Sequence, residues 1–74
     1  MRHTLDATGL LCPRPVLKAR KRLAALDPGD ELEMHADDPA AIVDVPHFCT
    51  ESGHALISTG ETGAAQVYII RKAG

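Results

Sequence analysis

The sequence predicts an α/β fold, a two-layer sandwich of order βαβαββ with two helices on one face of a four-stranded mixed sheet. Three observations carry that prediction. Glu31-Leu32-Glu33-Met34-His35-Ala36 alternates polar and apolar residues, the segment before it repeats apolar residues at helical spacing, and Pro28-Gly29 separates the two. The chain has 74 residues, enough for a single domain over 1–74. A domain of this size buries roughly 60% of the surface its unfolded form exposes, which allows one modest core but no deep enclosed active site.

The elements follow in order. His3 to Ala7 is a short strand ended by Thr8-Gly9. From Pro13 to Leu26, Val16, Ala19, Leu23 and Leu26 recur at three- and four-residue steps, with basic residues on the other sides, until Pro28-Gly29 stops the helix. Glu31 to Ala36 is a half-buried strand with Leu32, Met34 and Ala36 inward. Asp38-Pro39 reads as a helix start, an N-cap acid followed by proline at the first helical position. This second helical region runs to Ser52 with Gly53 as its stop, and Pro46 predicts a break near Asp44-Val45 with a fresh first turn. His54 to Thr59 is a third strand, residues 60–63 turn the chain, and Gln66 to Arg71 is a fourth. Val67 to Ile70 is apolar without alternation, as in an interior strand covered on both faces. Two crossovers result, each expected to be right-handed, with the second face of the sheet open.

Composition excludes several function classes. At 45% hydrophobic and 24% charged, the chain has the apolar surface to offset ordering entropy and is no disordered tail. One Phe, one Tyr and no Trp make stacking on single-stranded nucleic acid a poor expectation, so direct nucleic-acid binding is not predicted. No apolar run approaches the ~18 residues of a membrane span, and Met1-Arg2-His3-Thr4 lacks the apolar stretch of a signal peptide; the expected location is cytoplasmic. Two cysteines are too few for a disulfide scaffold, and no paired spacing suits a metal, so neither metal nor cofactor is expected. The formal net charge is only −2, but Arg14, Lys18, Arg20, Lys21 and Arg22 crowd into one stretch, and six acids from Asp27 to Asp38 follow. Arg14, Lys18, Lys21 and Arg22 are spaced for one side of the helix, either a docking patch for a partner protein or a solvated face.

The chemistry lies in Leu5-Asp6-Ala7-Thr8-Gly9-Leu10-Leu11-Cys12-Pro13-Arg14-Pro15. Cys12 falls between a glycine-containing loop and a helix, where Ser, Thr or Asp ordinarily caps. Pro13 favours extended backbone at Cys12, and Pro13 and Pro15 remove two of the helix's unpaired N–H groups. The Arg14 N–H is then the best-placed donor for the sulfur. The positive end of the helix, with the Arg14 and Lys18 side chains, favours an anion there, and a thiolate stabilised in this way is nucleophilic at neutral pH. Asp6 is expected to hydrogen-bond the loop backbone rather than act as a base, because a carboxylate close to the sulfur raises a thiol's pKa. Gly9 is expected to supply a backbone conformation barred to other residues.

A dithiol of thioredoxin type needs a second Cys three positions on, where Pro15 stands. A Cys/His hydrolase needs an enclosing cleft, a base and an orienting group, for which so short a chain is a poor host. A solitary exposed thiol completed by other proteins fits a persulfide carrier, which takes sulfane sulfur as Cys–S–SH and offers the outer sulfur onward. Two other readings stay open: a non-catalytic regulatory or RNA- or protein-binding module with a structural Cys12, and a redox sensor. Cys49 reads as core filling, and His47 and His54 as surface or hydrogen-bonded histidines.

Cys12-Pro13-Arg14-Pro15, preceded by Leu5-Asp6-Ala7-x-Gly9, resembles the CPxP signature of the small TusA/SirA-type sulfur carrier proteins. Val45-Pro46-His47-Phe48-Cys49, Gly53-His54 and the closing Tyr68-Ile69-Ile70-Arg71-Lys72 extend the likeness over nearly the whole chain. The resemblance implies a βαβαββ fold similar to the C-terminal domain of bacterial translation initiation factor three, and persulfide transfer through Cys12. It also implies a cysteine desulfurase or rhodanese-like protein as sulfur donor. The acceptor is implied to be a DsrE-type or other protein serving tRNA 2-thiolation, molybdenum-cofactor assembly or sulfur oxidation.

Overall fold

The structure, a computed structural model, describes residues 2–73; Met1 and Gly74, the two ends of the expected domain, lie outside the described residues. Its elements are β1 (Arg2–Asp6), α1 (Arg14–Ala24), β2 (Glu31–Ala36), α2 (Ala41–Ser52), β3 (Ala55–Thr62) and β4 (Ala65–Arg71). The sheet order is β1-β2-β4-β3. β1 runs parallel to β2, and β4 is antiparallel to both β2 and β3. The predicted βαβαββ mixed sheet is therefore the fold observed.

Alternation along the strands decides which face is buried. Leu32, Met34 and Ala36 of β2 are fully buried, while Glu31, Glu33 and His35 between them are half-exposed. Leu5 of β1 and Tyr68 and Ile70 of β4 join the same core, and the two helices cover it with Ala19, Leu23, Val45, Phe48 and Cys49. Both helices thus sit on one face. Side chains such as Leu23, Leu32 and Ile70 each contribute about 1.5–3 kcal/mol by leaving water. The opposite face carries a charged row in which Glu31 accepts from Arg2 at 3.1 Å and from Arg71 at 3.2 Å. Those two guanidiniums hold the Glu31 carboxyl below its ordinary range. β4 lies inside the sheet, and Ile69 on that charged face is buried too, with Glu33 and Ser58 as its partners across the strands.

Three local expectations are corrected. The break at Pro46 does not occur: α2 is continuous from Ala41 to Ser52 with Pro46 inside it. Proline leaves the Ile42 carbonyl without its helical partner, but Ile42 is exposed to water, whereas the buried Val45, Phe48 and Cys49 hold the helix on the core. Asp38-Pro39 does not begin the helix either. Asp38 and Pro39 form a lead-in turn, with Ala41 N–H on the Asp38 carbonyl at 2.9 Å and Ile42 N–H on the Pro39 carbonyl at 3.2 Å. The hairpin is also tighter than expected. β3 extends to Thr62, which pairs with Ala65 across Gly63-Ala64, and Gly63 at φ +60° makes the two-residue turn.

Candidate functional site

Because β1 and β2 are parallel, the loops leaving their C-terminal ends lie side by side. Ala7 N–H extends the pairing to the His35 carbonyl at 2.8 Å, and beyond that point the loop carrying Cys12 meets the acidic loop before α2. The cysteine loop is shaped from within by Asp6, whose Oδ1 accepts both the Thr8 N–H at 3.0 Å and the Thr8 hydroxyl at 2.6 Å. Those two bonds hold the Asp6 carboxyl below its ordinary range. Gly9 has φ +80°, in the left-handed region that favours glycine. Across the gap, Gly9 N–H donates to Asp37 Oδ1 at 2.9 Å and Cys12 N–H to Asp38 Oδ2 at 2.5 Å.

Cys12 is not the helix cap. α1 begins at Arg14, with Pro13 as the cap residue and Pro15 in the first turn. The Cys12–Pro13 peptide is cis. The Arg14 N–H, expected to face the sulfur, closes a turn on the Leu11 carbonyl at 2.9 Å instead. The sulfur has a different partner: Cys12 Sγ donates its proton to Asp44 Oδ2 at 2.6 Å. The expected depressed thiol is therefore corrected. The bond to Asp44 pushes the Cys12 thiol above its ordinary range, with loss of solvation and the negative charges of Asp44 and Asp38 acting the same way.

Cys12 is exposed whereas Cys49 is buried, and burial raises the Cys49 thiol. Cys12 lies in an open groove of about 480 Å³ between α1 and α2, with Val16, Arg20, Asp44, His47 and Phe48 on its walls. The Arg20 guanidinium lies over the Phe48 ring, 5.7 Å from its centroid, and His47 pairs with Glu51 at 3.4 Å. Leu11 and Val43, next in sequence to Cys12 and Asp44, are 72% and 71% exposed. Among the described residues, no three His, Cys, Asp or Glu side chains gather as a metal-binding set.

The family model described as "Sulfurtransferase TusA" matches residues 3–72. This chain belongs to the TusA family. The solved structure of a SirA-like protein from Desulfitobacterium hafniense is similar to it, with a TM-score of 0.84 and 25% sequence identity over 100% of both chains. Membership makes this TusA-family chain a sulfur-transfer carrier, of a kind that works with other proteins of a sulfur relay.

The four basic residues read as one docking face divide in the TusA-family structure. Arg14, Lys18 and Lys21 are exposed along α1, but the Arg22 guanidinium donates to the Thr4 carbonyl of β1 at 3.1 Å. Arg20, left out of that face, lines the groove that holds Cys12. Sequence reasoning missed Asp38 and Asp44 as partners of Cys12, and Asp37 as a partner of Gly9, having read Asp37 as part of an acidic run, Asp38 as a helix N-cap and Asp44 as the place of a helix break. The sequence offered only an indirect signal: a βαβ unit sets the loops after its two parallel strands side by side, without showing which acids reach the sulfur.

Proposed function

We propose that this protein is a persulfide sulfurtransferase of the cytoplasm. Cys12 takes sulfane sulfur from a cysteine desulfurase or rhodanese-like donor and relays it to a DsrE-type or other acceptor protein. One observation carries the reading: in a TusA-family chain, the exposed one of the two cysteines borders an open groove at the head of α1. The step balances without any outside oxidant. Cys12 sulfur attacks the outer sulfur of a donor persulfide, a new S–S bond forms on Cys12, the donor's S–S bond breaks, and the donor leaves as a thiol carrying the displaced proton. Release repeats the exchange, with Cys12 as the leaving sulfur.

Within the motif, Pro13, Pro15, Gly9 and Asp6 fix the loop, and Arg14 with the start of α1 supplies positive potential toward the developing anion. Arg14, Lys18 and Lys21 meet an acidic partner surface, with Arg22 behind them against β1. Leu11 and Val43 give that contact an apolar centre beside the sulfur. A carrier of this kind needs its thiol reduced at rest, which the cytoplasm maintains.

Incubation with a cysteine desulfurase and cysteine, followed by intact-mass measurement, tests the proposal. The wild type gains one sulfur atom. Cys12→Ser, with its fold intact, gains none. Normal loading of Cys12→Ala overturns the assignment, and salt-sensitive RNA binding indifferent to that substitution would point to a binding module instead.

A further inference from the structure

Reactive cysteines ordinarily sit in electropositive surroundings, and here the sulfur faces acids. Cys12 is held at two atoms by two carboxylates: its N–H by Asp38 and its thiol proton by Asp44. Asp44 comes from the fourth position of α2, a helix anchored next to it by the fully buried Val45, so the carboxylate is presented from a fixed element. Among the described residues, Asp44 has no ion pair with a base. On α1, the Arg20 guanidinium lies over the Phe48 ring and Arg14 is exposed.

A carboxylate that accepts a thiol proton stabilises the protonated sulfur and repels the thiolate. We propose that Asp44 is the positioning residue of sulfur transfer, holding Cys12 by its proton and keeping it quiet toward small electrophiles until a partner protein covers the groove. The inference rests on the carrier reading for its purpose, since a thiol shuttled between two proteins must not react with what it meets in between. During loading, Cys12–SH and donor–S–SH become Cys12–S–SH and donor–SH; the proton held toward Asp44 ends on the departing donor sulfur. Asp44 sets when that proton leaves, and a cationic group of the partner facing the carboxylate loosens its hold.

The pH profile of iodoacetamide alkylation, read at each cysteine by peptide mass, tests the inference without any sulfur donor. The titratable and charged groups that bond Cys12 or line its groove are Asp44, His47 and Glu51 of α2, Asp38 of the loop before it and Arg20 of α1, with Arg14 two residues further along the chain. His47→Gln is therefore measured alongside, so that the imidazole is not mistaken for the thiol. Wild-type Cys12 titrates above the range of a free cysteine. Asp44→Asn and Asp44→Ala bring it down and speed alkylation at pH 7 by about three- to tenfold, since each unit raises the thiolate fraction about tenfold while nucleophilicity falls by about half a logarithm. Unmodified Cys49 in the same samples certifies the fold.

An Asp44→Asn rate that is unchanged or slower overturns the inference. So does a wild-type Cys12 that titrates at or below free cysteine, a measurement that needs no variant. The donor-free assay separates this claim from the carrier reading: loading of the wild type with an unmoved Asp44→Asn profile sinks the Asp44 role alone. A shifted profile in a protein that never loads sulfur supports the hold of Asp44 on the thiol and sinks the carrier reading.

Discussion

Asp38 clamps Cys12 to the start of α2: its Oδ2 accepts the Cys12 N–H at 2.5 Å while its Oδ1 accepts the Ala40 N–H at 3.1 Å. One carboxylate thereby joins the sulfur loop to the turn that launches the opposite helix. Asp38→Ala removes both bonds and is expected to destabilise the fold by about 1–2 kcal/mol. It is also expected to speed hydrogen exchange at Gly9 and Cys12 relative to the core strands. Urea melts and exchange by mass spectrometry check this, and local protection equal to wild type would show that the clamp is not what holds the loop.

Cys49 and Cys12 are expected to behave oppositely toward a thiol reagent. Cys49 is 2% exposed within the core cluster under α2, so in native protein the reagent reaches Cys12 first and Cys49 only on unfolding. Cys49→Ser puts a hydroxyl where no partner was needed and is expected to cost about 1–3 kcal/mol, against about 1 kcal/mol or less for Cys49→Ala. Thermal melts of the two variants decide the order. A Cys49→Ser variant as stable as Cys49→Ala would mean that the hydroxyl finds a partner.

The sheet and the burial of its strands were legible because a period of two in Glu31–Ala36 is a local property of the chain. Helix α1 was legible for the same kind of reason, through Ala19 and Leu23. The acids around the sulfur were not, since Asp38 and Asp44 stand 26 and 32 residues from Cys12 and only pairing of β1 with β2 brings them near. Local rules also misjudged the head of α1. They assigned the Arg14 N–H to the sulfur because they could not see the Leu11 carbonyl turned toward it. Pro46 misled in the opposite direction: a rule about backbone bonding lost to the packing of Val45 and Phe48 on either side.

Gly9 takes φ +80° in the loop that ends at Cys12, and no neighbouring atom lies within 4 Å of where a Cβ would stand. Space is therefore not the obstacle to a side chain there; backbone conformation is. Gly9→Ala is expected to cost about 1–2 kcal/mol, the usual penalty of left-handed backbone for an L-residue. Gly9→Asn is expected to cost less, because Asn tolerates that region. Equal stabilities of the Ala and Asn variants in chemical denaturation would show that the loop simply changes its backbone.

His54 ties down the C-terminal end, its Nδ1 accepting the Ala73 N–H at 2.9 Å, with its ring 5.9 Å from that of Phe48. An acceptor nitrogen must be unprotonated. Burial, assisted by the nearby Lys72 charge, holds the His54 imidazole below its ordinary value of 6.5. With the folded value depressed, the unfolded chain binds the proton more readily. Stability from this residue is then fully present above pH 6.5 and declines as pH falls through that value toward the lower folded one. His54→Asn offers an amide oxygen in place of the ring nitrogen and does not titrate. Melting temperatures at pH 7.5 and 5.5 are therefore expected to differ more in wild type than in His54→Asn. An equal drop in both proteins would assign the acid sensitivity to other groups, leaving the Ala73 bond indifferent to protonation.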